Sequence, residues 1–288
     1  MRRTEEQQKE IAITNPGNYL FLAGRHHGNC SYPDLAVSLH RLGYSQAIAH
    51  LDFKPRNTAK EADDYPYLGD IDHAQALRIN ALLSHQTMTP RQFVDFLNEV
   101  NSGRQIKKTI LDIAKNPISG SLLDQVWDEI TEKRSPYRAE HLNQYCFKKG
   151  KELYLRYHFT QDKALEPIEA PLEDCLMEDK ELDFFDWLAR ANNQGLPPRD
   201  VAKGDFKYWY PRANTVARFG ADSDGADLDC DGYPLYSFAS LGVRAAISIG
   251  NFSPQEKQVK LEEALQELQG YIAPLMLPQV RERLRKYF

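Results

Sequence analysis

The chain has 288 residues, a net charge of −5 and 42% hydrophobic residues, enough apolar material for one large domain or two small ones. The mild acidity argues against nucleic acid as a partner, because phosphate binding requires a basic face. No apolar run approaches the ~18 residues of a membrane span. The charged N-terminus is not typical of a signal peptide. We therefore expect neither membrane insertion nor a secretory leader.

One long helix is predicted from its start signals and its periodicity. Thr89 can cap the helix, Pro90 suits its first position, and Gln92 can close a capping box. Apolar residues then follow with helical spacing over residues 93–100. Other predicted segments are a loop over residues 51–72, helices over residues 122–131 and 182–192, the latter ending at Gly195, and a C-terminal helix that begins with a capping box at residues 253–256.

A different pattern follows the third helix. Residues 207–210 are aromatic and strand-like, and residues 226–231 read A-D-L-D-C-D. This alternation places the apolar side chains and the aspartates on opposite faces of a strand. Asp224-Gly225 before it favours a two-residue type I′ hairpin turn, and residues 240–249 form a third, more apolar strand. We expect an α+β fold in which helices precede an antiparallel β-meander with one buried and one exposed face.

The aspartates raise the alternative of a metal site. DSDGADLDCDG, residues 222–232, resembles the D-x-[DN]-x-[DN]-G spacing of an EF-hand. Numbering from Asp227 puts Phe238 at position twelve, where a carboxylate is needed, and numbering from Gly220 puts a glycine at position one. A metal-dependent enzyme or a surface Ca²⁺ module that uses the acids from Asp222 to Asp231 stays as the alternative. A second loose group of potential metal ligands consists of His50, Asp52, Asp70, Asp72 and His73.

Cysteine spacing offers no metal or redox motif. The chain has four cysteines and no C-x-x-C pair. We expect free, buried thiols, with disulfides as the alternative, and no cofactor. The cysteines are Cys30, Cys146, Cys175 and Cys230.

Five residue types are absent from the segment between residue 211 and residue 254. It contains no Lys, Glu, Gln, Met or Trp, although the rest of the chain uses all five. A solvated surface normally uses Lys, Glu and Gln freely. The aromatic residues near its centre are more typical of a binding surface than of a plain solvated face.

The run VARFGADSDGADLDCDGYPLYSFASLGVRAA, residues 216–246, resembles the variable region of proteins diversified by retroelements. In those systems a reverse transcriptase misreads template adenines, mainly in asparagine codons. Substitution of the two adenines of AAC or AAT cannot yield Lys, Glu, Gln, Met or Trp, the set missing here. The resemblance implies a C-type-lectin fold of the branch that includes formylglycine-generating enzymes, with residues 89–100 in its first helix. The C-x4-C pair of the enzymes and the Ca²⁺-dependent sugar-binding motifs of lectins are absent.

The resemblance also assigns residues and domains. The variable region covers about residues 214–240 within a domain of residues 85–252. Outside the resemblance we expect an N-terminal segment, residues 1–84, packed on this domain, and a C-terminal helical segment, residues 253–288. The implied ligand-binding positions are Gly220, Asp222, Asp224, Gly225, Asp227, Asp229, Asp231, Gly232, Tyr233, Leu235, Tyr236 and Phe238. The implied scaffold positions are Phe219, Ala221, Ser223, Ala226, Leu228, Cys230, Ser237 and Ala239.

These assignments imply receptor recognition without catalysis. The ligand is expected to be a protein or cell surface that is basic and partly apolar, because its charge would complement the aspartates. The expected setting is viral or phage attachment on a virion, or display on a cell surface. A monomer is the expected state.

Overall fold

The computed structural model describes residues 15–47, 51, 67–133, 137–161 and 163–249. The predicted helix after residue 253 and most of the predicted loop over residues 51–72 lie outside these ranges. The helices are α1 (Tyr44–Ala47), α2 (His73–Leu82), α3 (Pro90–Gln105), α4 (Gly120–Thr131) and α5 (Phe184–Arg190). The strands are β1 (Tyr19–Leu22), β2 (Leu35–Arg41), β3 (Arg138–Lys149), β4 (Glu152–Gln161), β5 (Ala164–Pro171), β6 (Lys180–Leu182), β7 (Phe206–Trp209), β8 (Thr215–Ala221), β9 (Ala226–Gly232), β10 (Leu241–Gly242) and β11 (Arg244–Ser248).

The strands form two mostly antiparallel sheets. The larger sheet has the order β5-β4-β3-β8-β9-β7-β6, with β10 paired to β3, and the smaller has the order β1-β2-β11. Among the strands of the described residues, only the β7–β9 and β10–β3 pairs are parallel. The prediction of an α+β fold is confirmed at this level. The described part of the N-terminal segment packs on the rest of the chain through β2, which pairs with β11.

The three predicted helices that lie within the described residues are confirmed, and each begins at an N-cap. Thr89 and Gln92 form the reciprocal capping box that starts α3, with Pro90 in its first turn. Ser119 caps α4 and Asp183 caps α5. After α5 the chain turns at Gly195, whose φ is positive at 84°.

The predicted β-meander is wrong in its third strand. β8 and β9 form the expected hairpin, but β11 pairs with β2 in the other sheet. The other neighbour of β9 is β7, which runs parallel to it. The long strands β3, β4 and β5 were not predicted, because buried polar residues such as Asn143 obscure the alternation of β3.

An aromatic cluster lies beneath the hairpin. The ring centroids of Phe219 on β8 and Phe93 on α3 are 5.0 Å apart, and Phe219 also contacts Phe206 at 5.8 Å. Trp187 of α5 stacks on Phe206 at 4.8 Å. Phe93, Phe219 and Trp187 are each at most 1% exposed. The hairpin is therefore fixed to the core by the side chains that point inward from it.

A buried ion pair joins the two sheets. Arg244 on β11 is 1% exposed, and its Nε donates to Glu140 Oε2 on β3 at 3.1 Å. The same guanidinium donates to the Leu39 carbonyl on β2 at 2.6 Å. Because removal of Arg244 would leave the buried Glu140 carboxylate without this cation, we expect the pair to help fix the relative position of the sheets. No helix among the described residues is long and apolar enough to cross a membrane.

We expect Phe219→Ala to lower the free energy of unfolding by about 3–5 kcal/mol, because it removes a buried ring from the aromatic cluster. Urea denaturation followed by circular dichroism measures this loss. Phe185→Ala is the matched control, since that ring is 52% exposed, and its effect should stay within about 1 kcal/mol. Equal losses in the two variants would show that the cluster does not anchor the hairpin.

Candidate functional site

The β8–β9 hairpin has two chemically distinct faces. Its inner face carries Phe219, which lies opposite Leu228, and both are at most 1% exposed. Its outer face places Arg218 opposite Asp229 and Gly220 opposite Asp227. Period-two alternation therefore separates the residues that hold the fold from those that face outward.

The hairpin closes through a loop of four residues, from Asp222 to Gly225. Asp222 Oδ1 accepts the backbone N–H groups of Asp224 at 2.7 Å and Gly225 at 3.2 Å. Gly225 has a positive φ of 137°, whereas Asp224 does not lie in the left-handed region. The predicted two-residue type I′ turn is therefore wrong. A side-chain carboxylate organises this loop in its place.

The loop that follows β9, residues 233–239, exposes apolar side chains. Tyr233 is 65% exposed, Leu235 68% and Tyr236 51%. The backbone of this 233–239 loop is held from the N-terminal segment, since Asp70 N–H donates to the Phe238 carbonyl at 3.1 Å. The Ser237 hydroxyl also donates to the Asp70 carboxylate at 3.1 Å. An anchored backbone thus presents clustered apolar groups to solvent.

An arc of rings connects this loop to the hairpin. Phe238 lies 5.3 Å from Tyr137 and 5.4 Å from Tyr236, measured between ring centroids. The Arg218 guanidinium lies 5.4 Å from the Tyr236 centroid. Tyr137 also covers Gly220, since a Cβ at residue 220 would overlap the tyrosine hydroxyl. The hairpin face and the 233–239 loop therefore form one continuous surface.

Most of the aspartates on this surface already have partners within the chain. The three ion pairs are Lys207 with Asp224, Arg218 with Asp229, and Arg212 with Asp231. Asp222 is used by the hairpin loop, as described above. The surface is therefore less negative than the five aspartates imply.

Asp227 differs from the other four aspartates. It is 3% exposed, and its Oδ1 atom is buried without a hydrogen-bond partner among the described residues. Burial, together with the charges of Asp229 and Asp222, raises the pKa of Asp227 to about 7. Burial also raises the pKa of Tyr137, and the nearby Asp227 charge adds to that increase. An unpaired carboxyl at such a site is costly to ionise.

The structure divides the twelve predicted ligand-binding positions into three groups. Exposed positions are Asp224, Tyr233, Leu235 and Tyr236; partly exposed positions are Asp222, Asp229, Asp231 and Phe238; buried positions are Gly220, Gly225, Asp227 and Gly232. The expectation of exposure is wrong for the third group, because Tyr137 covers Gly220 and the backbone of Val216 approaches Gly232 closely. Each glycine also lacks a side chain to present.

The predicted scaffold is confirmed on the hairpin but not beyond it. Phe219, Ala221, Leu228 and Cys230 are buried, and Ala226 packs against the core. Three scaffold predictions are wrong, since the side chains are exposed on loops, where the alternation of a strand does not apply. These three are Ser223, Ser237 and Ala239.

The metal-site alternative gains no geometric support. No group of three or more His, Cys, Asp or Glu side chains within the described ranges is arranged to hold a metal ion. Of the second loose group, His50 and Asp52 lie outside the described residues. Asp72 caps α2, and His73 Nε2 hydrogen-bonds to the Leu142 carbonyl. The four cysteines are free and buried, as predicted.

Two residues of the surface were not predicted from the sequence. Arg218 could have been found, because it alternates with Phe219 on the outer face of a predicted strand. Tyr137 could not, since it precedes β3 and reaches the hairpin only through pairing of β3 with β8.

Replacement of Asp227 by Asn should change how stability depends on pH. The folded protein retains this proton up to about pH 7, whereas an unfolded aspartate releases it near a pKa of about 3.9. Between these values the folded state binds more protons, so the free energy of unfolding of the wild type falls as pH rises. Relative to wild type, Asp227→Asn should therefore gain on the order of 2–4 kcal/mol between pH 4 and pH 8.

Urea titrations at both pH values measure this relative gain. Asp174→Asn is the matched control, because that aspartate is exposed and ion-paired with Arg199 outside the hairpin. It should show no comparable gain. A relative stability of Asp227→Asn that is the same at both pH values would contradict the assignment.

Comparison with known proteins adds no relative to these observations. No family model matches the chain, and neither a curated protein nor a solved structure shows significant similarity to it.

Proposed function

We propose that the chain is a ligand-recognition protein whose variable surface consists of the β8–β9 hairpin and the 233–239 loop. The proposed fold is of the C-type-lectin type, in the branch that includes formylglycine-generating enzymes. The surface is diversified by adenine-directed mutagenesis and binds its ligand without catalysis. The observation that carries the proposal is a cluster of exposed apolar side chains, Tyr233, Leu235 and Tyr236, on a loop with an anchored backbone.

The separation of the two hairpin faces supports variability. A substitution at Asp229 or Asp231 changes an outward side chain, whereas Leu228 and Cys230 maintain the packing beneath them. Scaffolds that combine fixed packing with replaceable surface positions suit recognition, because binding residues can change without loss of the fold.

The composition of the surface supports recognition of proteins. Tyrosines supply large contact areas with few rotatable bonds, and small polar residues beside them supply adaptable hydrogen bonds. Ser237 and Asp222 are such polar residues, although both also make contacts within the chain. Exposed apolar clusters of this kind are characteristic of interaction sites.

The ligand we propose is a basic and partly apolar surface of another protein or of a cell. Its apolar part would cover Tyr233 and Leu235, and its basic part would face the aspartates of the hairpin. Viral or phage attachment is the proposed setting, with display on a cell surface as the other. The three intramolecular ion pairs reduce the available negative charge, so the apolar contacts carry more of the proposed affinity.

The genomic sequence tests diversification directly. We expect a second copy of the stretch that encodes residues 214–240, with differences confined to template adenines, near a reverse transcriptase gene. Positions that differ should fall on the outward face and on the 233–239 loop, because substitutions there spare the core. Absence of both the copy and the reverse transcriptase gene would refute this mode of diversification.

A triple substitution tests whether the surface is independent of the fold. Replacement of Tyr233, Leu235 and Tyr236 by Ser should change the free energy of unfolding by less than about 1.5 kcal/mol, since exposed positions each contribute within about 0.5 kcal/mol. Leu228→Ala is the contrasting variant, because this fully buried residue should cost about 2–5 kcal/mol. Urea denaturation compares the two. A larger loss in the triple variant would show that these side chains support the fold rather than a binding surface.

A further inference from the structure

Asp227 lacks a partner that its position demands. The carboxyl is 3% exposed, and its Oδ1 atom has no hydrogen-bond partner in the described part of the chain. A buried carboxylate without a partner costs several kcal/mol unless it binds a proton or a cation. The carboxyl is therefore a group that a positively charged ligand would stabilise.

The neighbouring cations are held by other aspartates. Lys207 is the strand partner of Asp227 on β7, yet its ammonium pairs with Asp224 at 2.6 Å. Arg218 donates to Asp229 through Nε at 2.8 Å and through its terminal nitrogen at 2.6 Å. Both cations lower the pKa of Asp227, but burial and the charges of Asp229 and Asp222 outweigh them. The local arrangement leaves one negative group for an external cation.

Aromatic rings border the outer face on which this carboxyl lies. Tyr137 covers Gly220, the strand partner of Asp227, and contacts Phe238. Tyr236 continues the arc and is 51% exposed. Ring faces attract cations and accept the apolar stem of a lysine side chain. We use the name cation notch for Asp227, Gly220, Tyr137, Tyr236 and Phe238.

We infer that the cation notch receives a lysine side chain of a protein ligand, whose ammonium group donates to Asp227 and whose stem lies against the rings. A lysine suits the notch better than an arginine, because a compact ammonium on a flexible stem can reach a recessed carboxyl. A metal ion is disfavoured, because no three metal-ligating side chains within the described residues converge there. The inference rests on the proposed recognition function and specifies the ligand chemistry at its centre.

Binding in the notch should depend on pH. The raised pKa of Asp227, about 7, leaves much of the carboxyl protonated below neutrality, and a lysine ammonium requires the ionised form. A lysine probe keeps its charge throughout this range, since its own pKa is about 10.4. The apparent affinity should therefore rise about tenfold between pH 6 and pH 8. The charged or titratable groups that surround Asp227 are Tyr137, Lys207, Arg218, Asp222 and Asp229.

The test is a titration of the full chain with Nα-acetyl-lysine N-methylamide, followed by the backbone amide signals of the hairpin in NMR spectra. We expect saturable shifts at Gly220, Asp227 and Asp229 in the wild type and at least a tenfold loss of affinity in Asp227→Asn. Asp174→Asn is the matched variant and should bind as the wild type does, because Asp174 is exposed, pairs with Arg199 and lies outside the hairpin and the 233–239 loop. Nα-acetyl-norleucine N-methylamide, which has a similar stem without the charge, should produce no saturable shift.

Several outcomes would overturn the inference. These are no saturable shift in the wild type, equal binding by Asp227→Asn, equal binding of the norleucine probe, or no change in affinity between pH 6 and pH 8. Shifts of the same amide signals on addition of Ca²⁺, without shifts on addition of the lysine probe, would identify a metal site in place of the cation notch. Unfolding curves for Asp227→Asn show whether the variant is still folded, so that weaker binding can be attributed to loss of the site.

The failure of this inference is distinguishable from failure of the proposed function. If a near-copy of the coding stretch exists but the lysine probe does not bind, the proposal of a variable binding surface remains and the cation notch is refuted. Lysine binding without any near-copy or reverse transcriptase gene would support the notch in a protein that is not diversified.

Discussion

Burial of Phe219 and Leu228 beneath the β8–β9 hairpin is the constraint on which the candidate surface depends. Both side chains enter the core, where Phe219 packs against Phe93 of α3. Since alternate residues of a strand face opposite ways, their burial fixes which residues point outward. The outer face has no comparable packing requirement, except where Tyr137 covers Gly220 and where Asp227 is buried. Stability and the proposed recognition are thus divided between the two sides of one hairpin.

Contacts from distant segments complete the surface. Asp70 anchors the 233–239 loop through both its backbone and its side chain. Arg244, just beyond the loop, bonds to Glu140 and connects the two sheets. The loop is therefore anchored by Asp70, and the strand that comes after it is tied to β3 by Arg244. Because the loop backbone is hydrogen-bonded to Asp70, we expect less conformational entropy to be lost if its exposed rings bind the proposed ligand.

Local signals made part of this architecture predictable from the sequence. The capping box of α3 and the alternation of β9 each involve residues within a few positions of one another, and both were predicted correctly. The strand partner of β11, the burial of Asp227 and the position of Tyr137 depend on segments far apart in the chain. Strand β3 was obscured for another reason. Asn143 is a buried polar residue satisfied by the backbone of His158, so the hydrophobic pattern of the strand is broken.

The joining of β2 to β11 has a consequence for synthesis of the chain on the ribosome. Arg244 donates to the Leu39 carbonyl across 205 positions of sequence, and Ser237 reaches Asp70 across 167. The first strands therefore emerge long before their last partner, and one edge of β2 stays open for most of translation. Such long-range closure slows folding and lengthens the exposure of an apolar edge. We expect the nascent chain to be most prone to aggregate before β11 has left the exit tunnel.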